Sequence, residues 1–181
     1  MGSVTKSVVV KAPVEQVFTF WKNFENFPRF MENIESIHVT GQDLTHWKSR
    51  GPLGTHIEWD AKTTSVQENK KISWQSVEGH IETHGSVLFE DLGNGETKVT
   101  VGMEYTPPAG IIGEAVAKIF SDPEDQLEED LNRFKTVAES GDFATLTAGT
   151  PAVGEGSYTN SASSAQRKDV DGDIVGSGTH L

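Results

Sequence analysis

Two acidic side chains, Glu58 and Asp60, flank Trp59, and on a regular strand they share one face. Carboxylates that close raise one another's pKa, which favours a general acid at neutral pH. The apolar parity of Ile57, Trp59 and Ala61 sets the odd positions inside, which turns both carboxylates to solvent. Val66 has the opposite parity, and a bulge would reconcile the two. Glu58 and Asp60 are the only catalytic candidates, and a charged outer surface is their competing reading. His80, Glu82 and His84 fall at alternate strand positions and could in principle hold zinc or iron. Their spacing is not the helical His-Glu-x-x-His pattern and they abut a Glu78-Gly79 turn, so the reading is an exposed strand start and no metal or other cofactor is expected. His38, His46 and His56 stand isolated among strand residues.

The richer inventory is apolar: Trp21, Phe27, Phe30, Met31, Trp47, Trp59, Trp74, Phe89, Met103 and Tyr105. Large rings and flexible thioethers are what an adaptable binding pocket uses, although each of these residues could equally be ordinary core. Arg29 and Arg50 are the candidates for a polar contact at a pocket mouth, where a planar guanidinium could take a carboxylate or carbonyl. A surface salt bridge is the alternative for each. The chain carries no Gly-rich phosphate loop, no Gly-x-Ser-x-Gly elbow and no nucleotide fingerprint.

These residues need elements to position them, and the chain punctuates itself clearly. Val4 to Lys11 is a β-branched run that reads as a first strand. Pro13 suits the first turn of a helix, and Val14, Val17, Phe18 and Trp21 follow on one helical face. A second, short helical piece spans Phe24 to Met31. Strands are expected near 34–40, 44–50, 56–66, 70–77, 82–91 and 96–105, separated by turn chemistry of which Asn94-Gly95 is the strongest example. Such short connections require antiparallel neighbours. After Pro107-Pro108 helical periodicity resumes through Ile111, Ile112, Ala115, Val116, Ile119 and Phe120. Pro123 permits a fresh start after Ser121 or Asp122, and Leu127, Leu131 and Phe134 continue an apolar stripe.

Four stretches carry a resemblance. They are Lys11 to Phe18, Trp21 to Met31, His46-Trp47 with Glu58 to Ala61, and Gly85-Ser-Val through Tyr105-Thr-Pro-Pro to Glu129–Lys135. Together they resemble the START-like, or SRPBCC, helix-grip superfamily, in its branch of polyketide cyclase/dehydrase and lipid-transport-like proteins, bacterial coenzyme-Q-binding proteins among them. The resemblance covers nearly all of residues 1–140. It implies an α+β helix-grip fold, with a curved antiparallel sheet of about seven strands wrapped around a long C-terminal helix and two short helices after the first strand. It also implies a deep cavity, lined by the aromatic and sulfur residues above together with Ile112, Val116 and Phe120. The ligand classes implied are lipids, isoprenoids, quinones and polyketides.

Two units follow: residues 1–140 as the helix-grip domain and 141–181 as a disordered Gly/Ser/Thr-rich tail, poor in aromatics and too polar to offset its ordering entropy. Asp169 to Asp173 superficially resembles a calcium loop, but the glycine is misplaced and no glutamate stands at the twelfth position. The chain has no cysteine, which excludes disulfides, thiolate nucleophiles and Cys-ligated metal sites. A formal net charge of −12 argues against nucleic acid or acidic membrane as partner. No apolar run is long enough to span a bilayer and no leader pattern opens the chain, so a cytoplasmic location is expected. The functional expectation is a non-enzymatic binder or carrier of a small hydrophobic molecule, with a polyketide cyclase/dehydratase acting in the same cavity as the alternative.

Overall fold

A computed structural model describes residues 2–51, 54–106 and 122–148. Strand β1 (Gly2–Val10) is followed by helix α1 (Val14–Lys22) and a 3-10 helix (Phe24–Arg29). Six strands come next: β2 (Ile34–Gly41), β3 (Leu44–Arg50), β4 (His56–Gln67), β5 (Lys71–Gly79), β6 (Glu82–Gly93) and β7 (Glu96–Thr106). Helices α2 (Pro123–Ala138) and α3 (Phe143–Ala148) complete the described chain. The strands form one antiparallel sheet in the order β1-β7-β6-β5-β4-β3-β2. This is the open, curved α+β sheet of the helix-grip fold. Ile112, Val116 and Phe120 lie outside the described residues.

The turn residues explain the meander. Asp43, Asn69 and Asn94 all adopt positive φ, as does Gly95 at φ 75°, so each hairpin turns on a residue type that tolerates the left-handed region. Pro28 shortens the second helical piece to a 3-10 turn, and Asn26 secures its junction with α1 by donating from Nδ2 to the Phe20 carbonyl at 3.0 Å.

Helix α2 begins as Pro123 dictates, with Asp122 at its N-cap, although the Asp122 side chain makes no capping bond. Its stripe of Leu127, Leu131, Phe134 and Ala138 is buried. On the outer side, Lys6 reaches Glu128 at 3.0 Å and Lys135 donates to the Val9 carbonyl at 2.6 Å, fastening α2 along edge strand β1. The core is aromatic: Phe20, Phe30 and Phe134 meet at centroid distances of 5.3–6.1 Å.

Packing extends past residue 140, where the domain is expected to end. Phe143 is buried and lies 5.2 Å from the Phe20 ring, so the packed unit continues through α3. One well-placed phenylalanine suffices to anchor a segment that composition averaged over 141–181 marks as polar. Residues 149–181 lie outside the described residues.

Candidate functional site

Between the concave face of the sheet and the helices lies a cavity of about 140 Å³. The sheet contributes Trp47 from β3, Ile57 and Trp59 from β4, Trp74 from β5 and Met103 from β7. Trp21 of α1, Phe27 of the 3-10 helix and Met31 form the opposite aromatic wall, and Leu127 and Asp130 of α2 close a third side. Trp47 and Trp59 are cross-strand partners and stack, with centroids 5.5 Å apart and planes at 23°.

Three residues expected at the cavity lie elsewhere. Phe30 is consumed by the core against Trp21, Phe20 and Phe134. Phe89 packs between Phe18 and Trp21. Tyr105 lines a separate space farther along β7. Parity and residue type cannot separate a ring facing a cavity from a ring plugging the core one turn away, and these three are plugs or neighbours.

Of the charged candidates, the carboxylate pair faces solvent, as the parity of β4 implies. Glu58 and Asp60 sit on the outer face, with side chains 45% and 38% exposed. His46 bridges them, its Nδ1 2.7 Å from Asp60 and its Nε2 3.8 Å from Glu58. The enzyme alternative therefore loses the pair that motivated it. Beyond Thr63 the β4–β5 register shifts by one residue and Val66 pairs with buried Ile72, although Val66 itself, near the strand's end, stays 45% exposed. Arg29 is exposed, and Arg50 points to Glu35 at 3.6 Å in a surface cluster with Lys48 and His56. Neither arginine lines the cavity, because their strand and helix positions face water. His84 pairs with Glu104 at 3.1 Å, whereas His80 Nδ1 accepts the Glu58 backbone N–H, so the two imidazoles are engaged separately.

The polar groups that do line the cavity are ones the sequence reading overlooked. Asp130 is the only ionisable side chain among the described lining residues, and its side chain is 9% exposed. Arg133 donates to it at 2.7 Å and the Glu32 backbone N–H at 3.4 Å. Burial pushes the Asp130 carboxyl up to about 6, against the pull of these two donors. Near neutral pH it can therefore exchange a proton or a hydrogen bond with a bound molecule. Two further polar atoms, Trp21 Nε1 and Thr83 Oγ1, are buried without a partner among the described residues, and both side chains belong to the cavity wall. Trp47, by contrast, donates from Nε1 to Thr45 Oγ1 at 2.8 Å. The signal for Asp130 was present in the sequence: it stands three residues after Leu127 and four before Phe134, on the apolar stripe of its helix.

A concave antiparallel sheet, a helix laid across it and an aromatic cavity between them define a helix-grip protein. Residues 10–132 match the model of the family described as polyketide cyclase/dehydrase and lipid transport, and the chain belongs to that family. A curated relative, an uncharacterised 17.2 kDa protein of Streptomyces lincolnensis encoded in the melC2-rnhH intergenic region, is 34% identical over 139 residues, covering 77% of this chain and 91% of the relative. A crystal structure from Deinococcus radiodurans is 30% identical with a TM-score of 0.62, covering 77% of this chain and 98% of that one. A START superfamily protein from Mycobacterium smegmatis shares the fold at 19% identity and a TM-score of 0.60, covering 76% and 97%. Among the described residues no helix is long and apolar enough to cross a membrane.

Proposed function

We propose that this protein binds or carries a small hydrophobic molecule, a lipid, isoprenoid, quinone or polyketide, in the cavity between sheet and α2, and that it does so in the cytoplasm. The observation that carries this reading is the wall itself: Trp21, Phe27, Trp47, Trp59, Trp74 and Met103 converge on one space. A cavity of about 140 Å³ matches the size at which an apolar protein interior takes up roughly one benzene-sized ring. The unpaired Trp21 Nε1 and the Asp130 carboxyl would give a hydrogen bond to a single polar atom on that ring or chain. Displacing water from so apolar a lining favours binding of a molecule that matches its shape.

Incubation of the purified protein with a bacterial lipid and quinone extract, followed by native mass spectrometry, tests the reading. Retention of a specific apolar species is expected, and Trp59→Ala should weaken it. Absence of any retained species across such extracts would overturn the proposal.

A further inference from the structure

The centre of the sheet is split. Strands β5 and β6 pair only from Lys71–Leu88 to Gln75–His84. Beyond that point β5 stays with β4 as far as Gly79, while β6 stays with β7 as far as Glu82. A bulge at Val77, between the Ser76–Ala61 and Glu78–Asp60 pairs, bends β5 toward β4 and widens the gap. The Thr83 N–H donates across it to Ser76 Oγ at 2.9 Å. The split holds a second space of about 420 Å³.

This slot and the apolar cavity share Ile81 and Thr83 as a common wall. Its character is the reverse of the cavity's. Glu78, Glu82 and Glu104 line it together with His84, which is paired to Glu104 at 3.1 Å, and no lysine or arginine does among the described residues. Thr83, only 7% exposed, carries a hydroxyl without a partner among the described residues at the junction of the two spaces. A buried hydroxyl left unpaired is costly, and a bound molecule could recover that cost by pairing with it.

We infer that the β5–β6 slot is the polar half of the binding site, and that it takes a hydrogen-bond-donating, cationic end of an amphiphile, an amine on an apolar body. The inference rests on the cavity reading above, because the apolar body occupies that cavity. Glu78 and Glu82, with Glu104 already paired to His84, leave the slot net acidic, which favours an ammonium group and disfavours an anion, while Thr83 Oγ1 accepts a hydrogen bond at the junction. An amphiphile lying across Ile81 would also use the larger volume that the cavity alone does not provide.

Isothermal titration of the full chain with n-octylamine, n-octanol and n-octanoate separates the two ideas, since the three probes share one apolar body. Octylamine should bind more tightly than octanoate by about tenfold, the equivalent of about 1.4 kcal/mol. Glu82→Gln with Glu104→Gln should collapse that ratio, whereas Glu90→Gln with Glu96→Gln, the same loss of charge at the far end of the β6–β7 hairpin, should preserve it. Thr83→Val, which removes a hydroxyl with no described partner, provides a second test with little risk to folding and should weaken octylamine. A ratio untouched by the slot substitutions, or lost equally in both double variants, would overturn the slot assignment, the latter by tracing the preference to overall charge. Octanol binding with no preference for the amine would defeat the slot alone, whereas binding of none of the three would defeat the cavity reading with it.

Discussion

Replacing Asp130 by asparagine should change the pH dependence of stability in a way that follows from its burial. Its carboxyl is displaced from 3.8 to about 6, chiefly by desolvation. Between those values the folded protein holds a proton that the unfolded chain has released. Stability therefore falls as pH rises through this window, the reverse of the usual salt-bridged aspartate. A rise from 3.8 to about 6 is worth about 3 kcal/mol once both limits are passed. The amide introduced by Asp130→Asn does not titrate and carries no such proton. The stability of Asp130→Asn minus that of the parent should consequently increase by about 2.4 kcal/mol from about pH 4 to about pH 7, most of that limiting value. Loss of the Arg133 contact at 2.7 Å adds an offset to this difference. Urea unfolding followed by far-ultraviolet circular dichroism at a series of pH values measures both proteins. The subtraction removes the contributions of other carboxylates, among them Glu139, whose own carboxyl is lowered by the Lys11 N–H and Lys135. A difference that stays constant across the window, or that shrinks with rising pH, would refute the claim that Asp130 is strained by burial at the cavity wall.

Phe143→Ala should cost about 3–5 kcal/mol, as expected for a fully buried ring, and a chain ended at Ser140 should lose at least as much on the same denaturation curves. Glu58→Gln with Asp60→Asn should leave uptake of apolar ligand within about twofold of the parent, because both carboxylates face water. An affinity loss of an order of magnitude would return them to the site. Gly79→Ala should destabilise strongly: φ is +121° and a Cβ there would lie 2.4 Å from Trp59 Cα. Thermal melts should register the change as a lowered Tm, and an unchanged Tm would contradict the close approach of β5 to β4.

The extent to which this fold can be read from its sequence differs by element. Strands β2 to β7 announce themselves because Asn, Asp and Gly at the hairpin tips punctuate short alternating runs, and the structure places its turns on those residues. Burial parity was legible on β4, where Trp59 is flanked by two carboxylates that the structure turns outward. Other features were not. Asp130 sits in a run with Glu128 and Glu129, and charge alone made it look like its solvated neighbours; only its spacing from Leu127 and Phe134 sets it apart. Arg29 and Arg50 have the right chemistry for a cavity mouth, but residue type carries no direction, and direction is what the register decides. The split between β5 and β6 arises from one extra residue, Val77, in the pairing with β4, and no local sequence signal distinguishes that bulge from regular strand.

The chain contains 4 tryptophans, and Trp21, Trp47, Trp59 and Trp74 all line the cavity. No indole stands elsewhere to contribute background emission. The intrinsic fluorescence of the whole protein is therefore the fluorescence of this one compartment. Energy passed between the stacked pair Trp47 and Trp59 makes a quencher beside either ring visible in the emission of both. The molecule thus carries its own optical reporter, and an unlabelled sample can reveal whether the space is empty or filled.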